Sequence, residues 1–185
     1  MTKTRFIIIK ISLTGLMIAL IYVCTAFLSI PFANGAGYFN FSDCLILFTS
    51  IYIGPVEGIL SAIISCALAD LQAGAAQFIP FTIVAKGLEA IVAFLIYKPL
   101  KNHNILKYIS VVIAPLFMVA TYFLAYILLF DISYTFNSIF DLIQGLVGSI
   151  LAITLLKLFS RIPLENLIHN KKEDWTQHSI FFYYL

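Results

Sequence analysis

Long unbroken apolar runs, rather than an alternating or amphipathic pattern, dominate this chain. Six stand out, over roughly residues 6–30, 42–53, 55–72, 78–98, 106–130 and 136–160, and each predicts a helix. Five have about the ~17–25 residues that a helix needs to cross a ~30 Å hydrocarbon core. The second is shorter, and its ~12 residues rise only ~18 Å as helix. Gly54-Pro55 breaks it and opens the next, since proline suits a first helical position. A tilted or offset helix folded onto its successor fits this pattern. One long kinked segment over 42–72 is the rival.

Polar positions punctuate the runs sparsely. Asp43, Glu57, Asp70, Lys86, Glu89, Asp141 and Gln144 fall within or at the ends of the predicted helices. A charge near the bilayer centre costs roughly 2.5–3.5 kcal/mol on insertion scales, so such groups point to function or to pairing. Lys86 and Glu89 share a helix face at i, i+3. Asn137, Asp141 and Gln144 form a second stripe at i, i+4, i+7. Both stripes lie toward the outer half, which predicts a hollow open to the outside. The structural alternative for Lys86 and Glu89 is an ion pair tying helix four to itself or a neighbour. The alternative for Gln144 is an interhelical hydrogen bond. Asp43 reads as a first-turn carboxylate with Ser42 or Asn40 as cap, and Asp141 and Glu57 as partners of helix dipoles.

Composition sharpens the class. Of 185 residues, 62% are hydrophobic and only 11% charged, too few charges for the surface of a soluble domain. The chain reads as an all-α integral membrane protein with six transmembrane helices. Residues 1–165 form the transmembrane domain, and 166–185 a short cytoplasmic tail. The basic start continues into apolar sequence through Ile30 without a small-residue cleavage site, so helix one is retained rather than a signal peptide. The net charge of +2 does not suggest nucleic acid. Cys24, Cys44 and Cys66 form no CxxC pair and read as apolar fillers.

Charge placement sets orientation. Lys3, Arg5 and Lys10 flank helix one; Lys98, Lys101 and Lys107 fill the 4–5 turn; Lys157, Arg161, Lys171 and Lys172 follow helix six. The connections at 31–41, 73–77 and 131–135 hold none. Six crossings place ten of the eleven basic residues on the cytoplasmic side with both termini. The exception is Lys86. The basic-free stretch 31–43 mixes Pro, Gly, Asn and aromatics, as a lid would.

Chemistry by the chain itself finds no support. There is no G-x-x-x-x-G-K-[ST], no H-E-x-x-H and no G-x-S-x-G, so neither ATP hydrolysis nor a known hydrolytic site is expected, and no metal or cofactor is called for. Helix one carries small residues four apart, Gly15 and Ala19, with Ser12 and Ala26 along the same side. That spacing permits close contact with another helix, or ordinary internal packing.

Four stretches in order, "GYFNFSDCLIL", "IYIGPVEGILSAIISCALADL", "FIPFTIVAKGLEAIVAFL" and "NSIFDLIQGLVGSIL", follow that first helix. Together, over about residues 5–160, they resemble the substrate-binding S components of energy-coupling factor (ECF) vitamin transporters. The branch with riboflavin-, hydroxymethylpyrimidine- and pyridoxine-type members is the most similar. The resemblance implies a multi-pass protein of a bacterial plasma membrane that captures a water-soluble vitamin or precursor from outside. It also implies delivery through a transmembrane coupling protein (EcfT-type) and two ATPase subunits. In the family, helix one carries an Ala-x-x-x-Ala docking motif; here Gly15 takes the first place before Ala19. Carried over, the family's ligand contacts fall on Asn40, Lys86, Glu89, Asn137 and Gln144. A flat heteroaromatic ligand also needs aromatic walls, for which Tyr38, Phe81 and Tyr122 are candidates.

Other functions remain open on sequence grounds. A structural subunit of a morphogenesis complex needs no pocket. A membrane-embedded enzyme needs a nucleophile and base that do not emerge here. A proton-coupled carrier would use Glu89 and Asp141, although no inverted repeat is visible.

Overall fold

The computed structural model describes residues 3–31 and 38–160. Its helices are α1 (Lys3–Phe27), α2 (Asp43–Phe48, continuing as a π-helical turn over Thr49–Ile53), α3 (Pro55–Gln72), α4 (Ile79–Leu100), α5 (Ile109–Leu129) and α6 (Ser138–Phe159). Short 3₁₀ turns at Ala76–Phe78, Leu106–Tyr108 and Ile132–Asn137 lead into α4, α5 and α6. Five spans are long and apolar enough to cross a membrane, Thr4–Phe27, Pro55–Gln72, Ala76–Leu100, Leu106–Leu129 and Ile132–Phe159, while the apolar helix Asp43–Ile53 is shorter. The all-helical expectation needs one small amendment. Ile30–Pro31 (β1) and Tyr38–Phe39 (β2) pair antiparallel, with Ile30 opposite Phe39 and Pro31 opposite Tyr38. This two-rung ladder forms the base of the 31–43 loop. Residues 32–37 of that loop, Arg161, Lys171, Lys172 and the expected 166–185 tail lie outside the described residues.

The short second helix is the hub. Helix α1 packs on α3, α3 on α4, α4 on α5 and α5 on α6, while α2 packs against α6, α3 and α4 inside the arc. Nearly every α2 side chain is buried, including Ile46, Leu47, Phe48 and Ile51. A helix enclosed by other helices has no lipid thickness to match, which explains how ~18 Å suffices here. The π turn ends at Gly54, whose φ of 154° lies where side chains rarely fit. Pro55 then begins α3. The rival single segment over 42–72 is therefore broken at the dipeptide that the sequence marks.

Close backbone approach holds α2 in place. A Cβ on Gly58 of α3 would lie 2.5 Å from the Ser50 Cα, and one on Gly148 of α6 would lie 2.7 Å from the Asp43 Cβ. The Ser50 hydroxyl donates to the Ala90 carbonyl of α4 at 2.5 Å. Small residues let helices touch where lipid supplies no hydrophobic drive. Between α1 and α6 the arc stays open. An apolar groove there reaches α2 and is lined by Leu16, Leu20, Phe48, Tyr52, Leu155 and Phe159 among others.

The two ends of the bundle differ in charge. Arg5, Lys10, Lys98, Lys101, Lys107 and Lys157 all sit at the end where α1 and α5 begin and α4 and α6 finish. At that end Lys10 pairs with Glu57 at 2.8 Å, tying α1 to the start of α3. The opposite end holds Asp43, Asp70, Asp131 and Asp141 and no described basic residue except Lys86 within α4. Because Gly58 meets backbone, Gly58→Ala should destabilise by about 1–3 kcal/mol through overpacking. Gly15→Ala, which meets nothing within 4 Å, should change stability by less than about 0.5 kcal/mol. Thermal unfolding of detergent-solubilised protein distinguishes the two.

Candidate functional site

Thr82, Lys86 and Glu89 recur at i, i+4, i+7 along α4, so one helix face carries all three inward. All are buried, Lys86 to within 2% of full enclosure and Glu89 wholly. The Lys86 ammonium contacts one oxygen of Asp43 at the start of α2 and lies 3.4 Å from Glu89 Oε2. It also touches the Met118 sulfur of α5. One cation thus binds carboxylates from two helices and reaches a third element. The anticipated Lys86–Glu89 pair exists, but the nearer partner is Asp43, 43 residues away.

That finding corrects the reading of Asp43. Its carboxylate does not act chiefly at its own helix terminus. Ser42 makes no side-chain capping bond, and Asn40 Oδ1 instead accepts the Ser42 N–H at 3.0 Å, an Asx-type link. The second Asp43 oxygen accepts from Gln144 Nε2 of α6 at 3.0 Å, while Gln144 Oε1 accepts the Asn40 N–H at 2.9 Å. A continuous polar chain therefore runs Asn40, Gln144, Asp43, Lys86, Glu89. It knits the loop, α6, α2 and α4 together. The close Gly148–Asp43 contact is what brings α6 near enough for the amide to reach.

Above this chain lies a cavity of about 240 Å³, far more than one water needs. Its wall includes Tyr38, Asn40, Lys86, Tyr122 and Gln144 from the sequence-predicted set. Glu89 and Asn137 are buried but do not line it. Phe81 packs instead with Phe78, Tyr122 and Tyr126 in an aromatic cluster beside the wall. The lining also includes Thr25, Cys66, Asp70, Thr82, Tyr126 and Asp141. Thr25 and Cys66 had no sequence signal as site residues, because a lone small polar residue in an apolar run looks like packing. Thr82, by contrast, opens the Thr-x-x-x-Lys-Gly stretch, and Tyr126, like Tyr122, is an aromatic that could stack on a ring. Asp70 and Asp141 stood out as costly groups, and only the folded geometry brings them to one wall. Asp141 accepts the Tyr126 hydroxyl at 3.0 Å rather than serving merely as a dipole partner.

The mouth is closed in part by the β1–β2 ladder. From β2, Tyr38 donates to Asp70 Oδ1 at 2.6 Å. Burial, and then the Asp70 charge, push the Tyr38 phenol above its ordinary range, so it keeps its proton for that bond. Gly15 and Ala19 sit elsewhere, both exposed on the outer surface of α1 beside the apolar groove.

The sequence matches the family described as ECF-type riboflavin transporter, S component, over residues 5–161. That stretch contains every helix that builds the cavity. The chain belongs to this family. It is a membrane transport protein of the ECF S-component type, with several apolar spans. A relative from Pyrococcus woesei, titled "Uncharacterized protein in gap 3'region", is 32% identical over 82 residues, covering 44% of this chain. The aligned part spans about half, 55%, of that relative's own length.

Within this S component the polar chain is also a structural brace. Lys86→Met would leave the Asp43 and Glu89 carboxylates buried without their cation, which should cost about 3–5 kcal/mol. Lys86→Met combined with Asp43→Asn should recover part of that loss, because one orphan charge is removed with its partner. Thermal unfolding of the two variants and the wild type in detergent checks the ordering.

Proposed function

We propose that this S component captures a water-soluble vitamin or vitamin precursor with a heteroaromatic ring, and hands it to a membrane coupling protein driven by two ATPase subunits. The observation that carries the reading is the cavity itself: a concave hollow on which carboxyl, amide, hydroxyl and ammonium groups converge beside three tyrosines, set at the end of the bundle away from the basic residues. Concave hollows with convergent polar groups are where small molecules bind. The positive-inside rule assigns the basic end to the cytoplasm, so the cavity faces outward. In this reading the chain passes the membrane six times, with α2 as the short, enclosed second pass and both termini cytoplasmic.

Tyr38, Asn40, Lys86, Tyr122 and Gln144 contact the ligand, while Glu89 and Asn137 act from behind the wall by positioning those groups. Phe81 supports the aromatic side through its cluster. The β1–β2 ladder acts as part of the cover. Docking to the coupling protein uses the exposed Gly15 and Ala19 stripe, which offers a second helix close approach. The family's name makes riboflavin the first compound to try, with hydroxymethylpyrimidine and pyridoxine next. ATP hydrolysis belongs to the partner chains.

Two measurements test this. Mass spectrometry of the detergent-purified protein should find a co-purifying heteroaromatic compound. Gln144→Ala should weaken that compound's binding by roughly tenfold, about 1.4 kcal/mol, in a calorimetric titration; unchanged affinity removes Gln144 from the site. Separately, Gly15→Leu and Ala19→Leu should leave ligand affinity intact and abolish co-purification with the coupling protein. A variant that still assembles refutes the docking role.

A further inference from the structure

Four hydroxyls of the cavity wall have spent their protons. Thr25 donates to the Ile21 carbonyl at 2.8 Å, Tyr38 to Asp70 at 2.6 Å, Tyr122 to Thr82 at 3.2 Å and Tyr126 to Asp141 at 3.0 Å. A hydroxyl has one hydrogen and two lone pairs. Each of these groups therefore turns acceptor capacity, not a donor, toward the hollow. The amide of Gln144 is engaged at both ends, by the Asn40 N–H and by Asp43.

Charge leans the same way. Among the described residues Lys86 is the one ammonium on the wall, and its nitrogen is already held by Asp43 and Glu89. Against it stand two further carboxyls that line the cavity directly, Asp70 and Asp141. They are only 3% and 4% exposed. Tyr122 lies within electrostatic reach of both. Asp70 supplies the decisive detail. One of its oxygens accepts the Tyr38 hydroxyl's hydrogen bond, while Oδ2 is buried with no hydrogen-bond partner among the described residues. A buried acceptor left empty is costly unless something fills it.

We infer that the cavity selects a ring compound presenting a proton-donating edge, whether hydroxyl, amino or ammonium, to Asp70 and Asp141, and that it rejects analogues carrying a carboxylate or phosphate. The inference rests on the binding role proposed above and narrows its ligand class. An anionic group would meet acceptor oxygens and like charge with no uncommitted cation to offset them. A donor edge would complete Asp70 Oδ2 and share Asp141 with Tyr126. The aromatic side of the wall would stack on the ring.

The test uses the full chain purified in detergent and freed of co-purified ligand. A panel of size-matched heteroaromatic compounds in three classes is screened by thermal shift. One class bears hydroxyl, amino or ammonium groups, one bears carboxylate or phosphate, and one has acceptors only. The expected result is stabilisation by members of the first class alone. Asp70→Asn and Asp141→Asn, each verified as folded by its own unfolding transition, should then weaken the best compound by about tenfold or more. Stabilisation by an anionic compound overturns the inference while leaving the binding role standing. So does a first-class compound that binds both variants as tightly as wild type. If no compound of any class binds, the binding role and this inference fall together. The class comparison on the wild-type chain decides the matter even if one variant does not fold.

Discussion

A single buried ammonium organises the half of this protein that lies away from its basic end. In a low-dielectric interior, Lys86 is tolerable only with its charge matched and its hydrogen bonds made. Asp43 and Glu89 supply that, from α2 and from its own helix. The consequence reaches beyond one ion pair. Because Asp43 also accepts from Gln144, and Gln144 from the Asn40 backbone, satisfying Lys86 fixes where α2, α4, α6 and the loop before α2 meet. The glycine and serine contacts of α2 permit that placement. The short helix stays buried, and the end of the bundle opposite the basic residues is left with a floor rather than packed side chains.

That floor explains how a bundle of apolar helices can hold a polar hollow. Membrane helices associate through close packing of small residues and a limited number of hydrogen bonds. Here the packing is concentrated around the lower part of α2, at Gly58 against Ser50 and along the Ala90 and Ala93 side of α4. Farther out, the helices carry tyrosines, carboxyls and amides in place of small apolar groups. Bulky polar side chains pair with one another around the rim of a space instead of closing it. Close packing and the polar hollow thus occupy different levels of one bundle, joined by the polar chain between them.

The same division accounts for the outer surface. Five spans present wide apolar faces, as lipid requires, since backbone groups are satisfied within each helix. The face of α1 is unusual in being both apolar and lightly covered. Gly15 has open space around it, and an apolar groove beside it reaches α2. That groove borders the hub helix directly, and the cavity meets the same helix through Lys86 and Gln144, which both contact Asp43.

Hydropathy alone determined the class, the number of helical segments and the break at Gly54-Pro55, because lipid fixes segment length and proline fixes where a helix begins. Basic residues also separated the two ends of the bundle, and the cost of charge in lipid singled out Lys86, Glu89, Asp141 and Gln144 as groups with work to do. Partners were not legible. Spacing along one helix pointed Lys86 to Glu89, whereas the nearer carboxylate is Asp43, brought there by the approach of another helix. The enclosure of α2, the pairing of Tyr38 with Asp70, the retreat of Glu89 and Asn137 behind the wall and the recruitment of Thr25 and Thr82 to it were settled only by tertiary structure. Periodicity reports which side of a helix a residue occupies; what stands opposite that side depends on how all the helices pack at once.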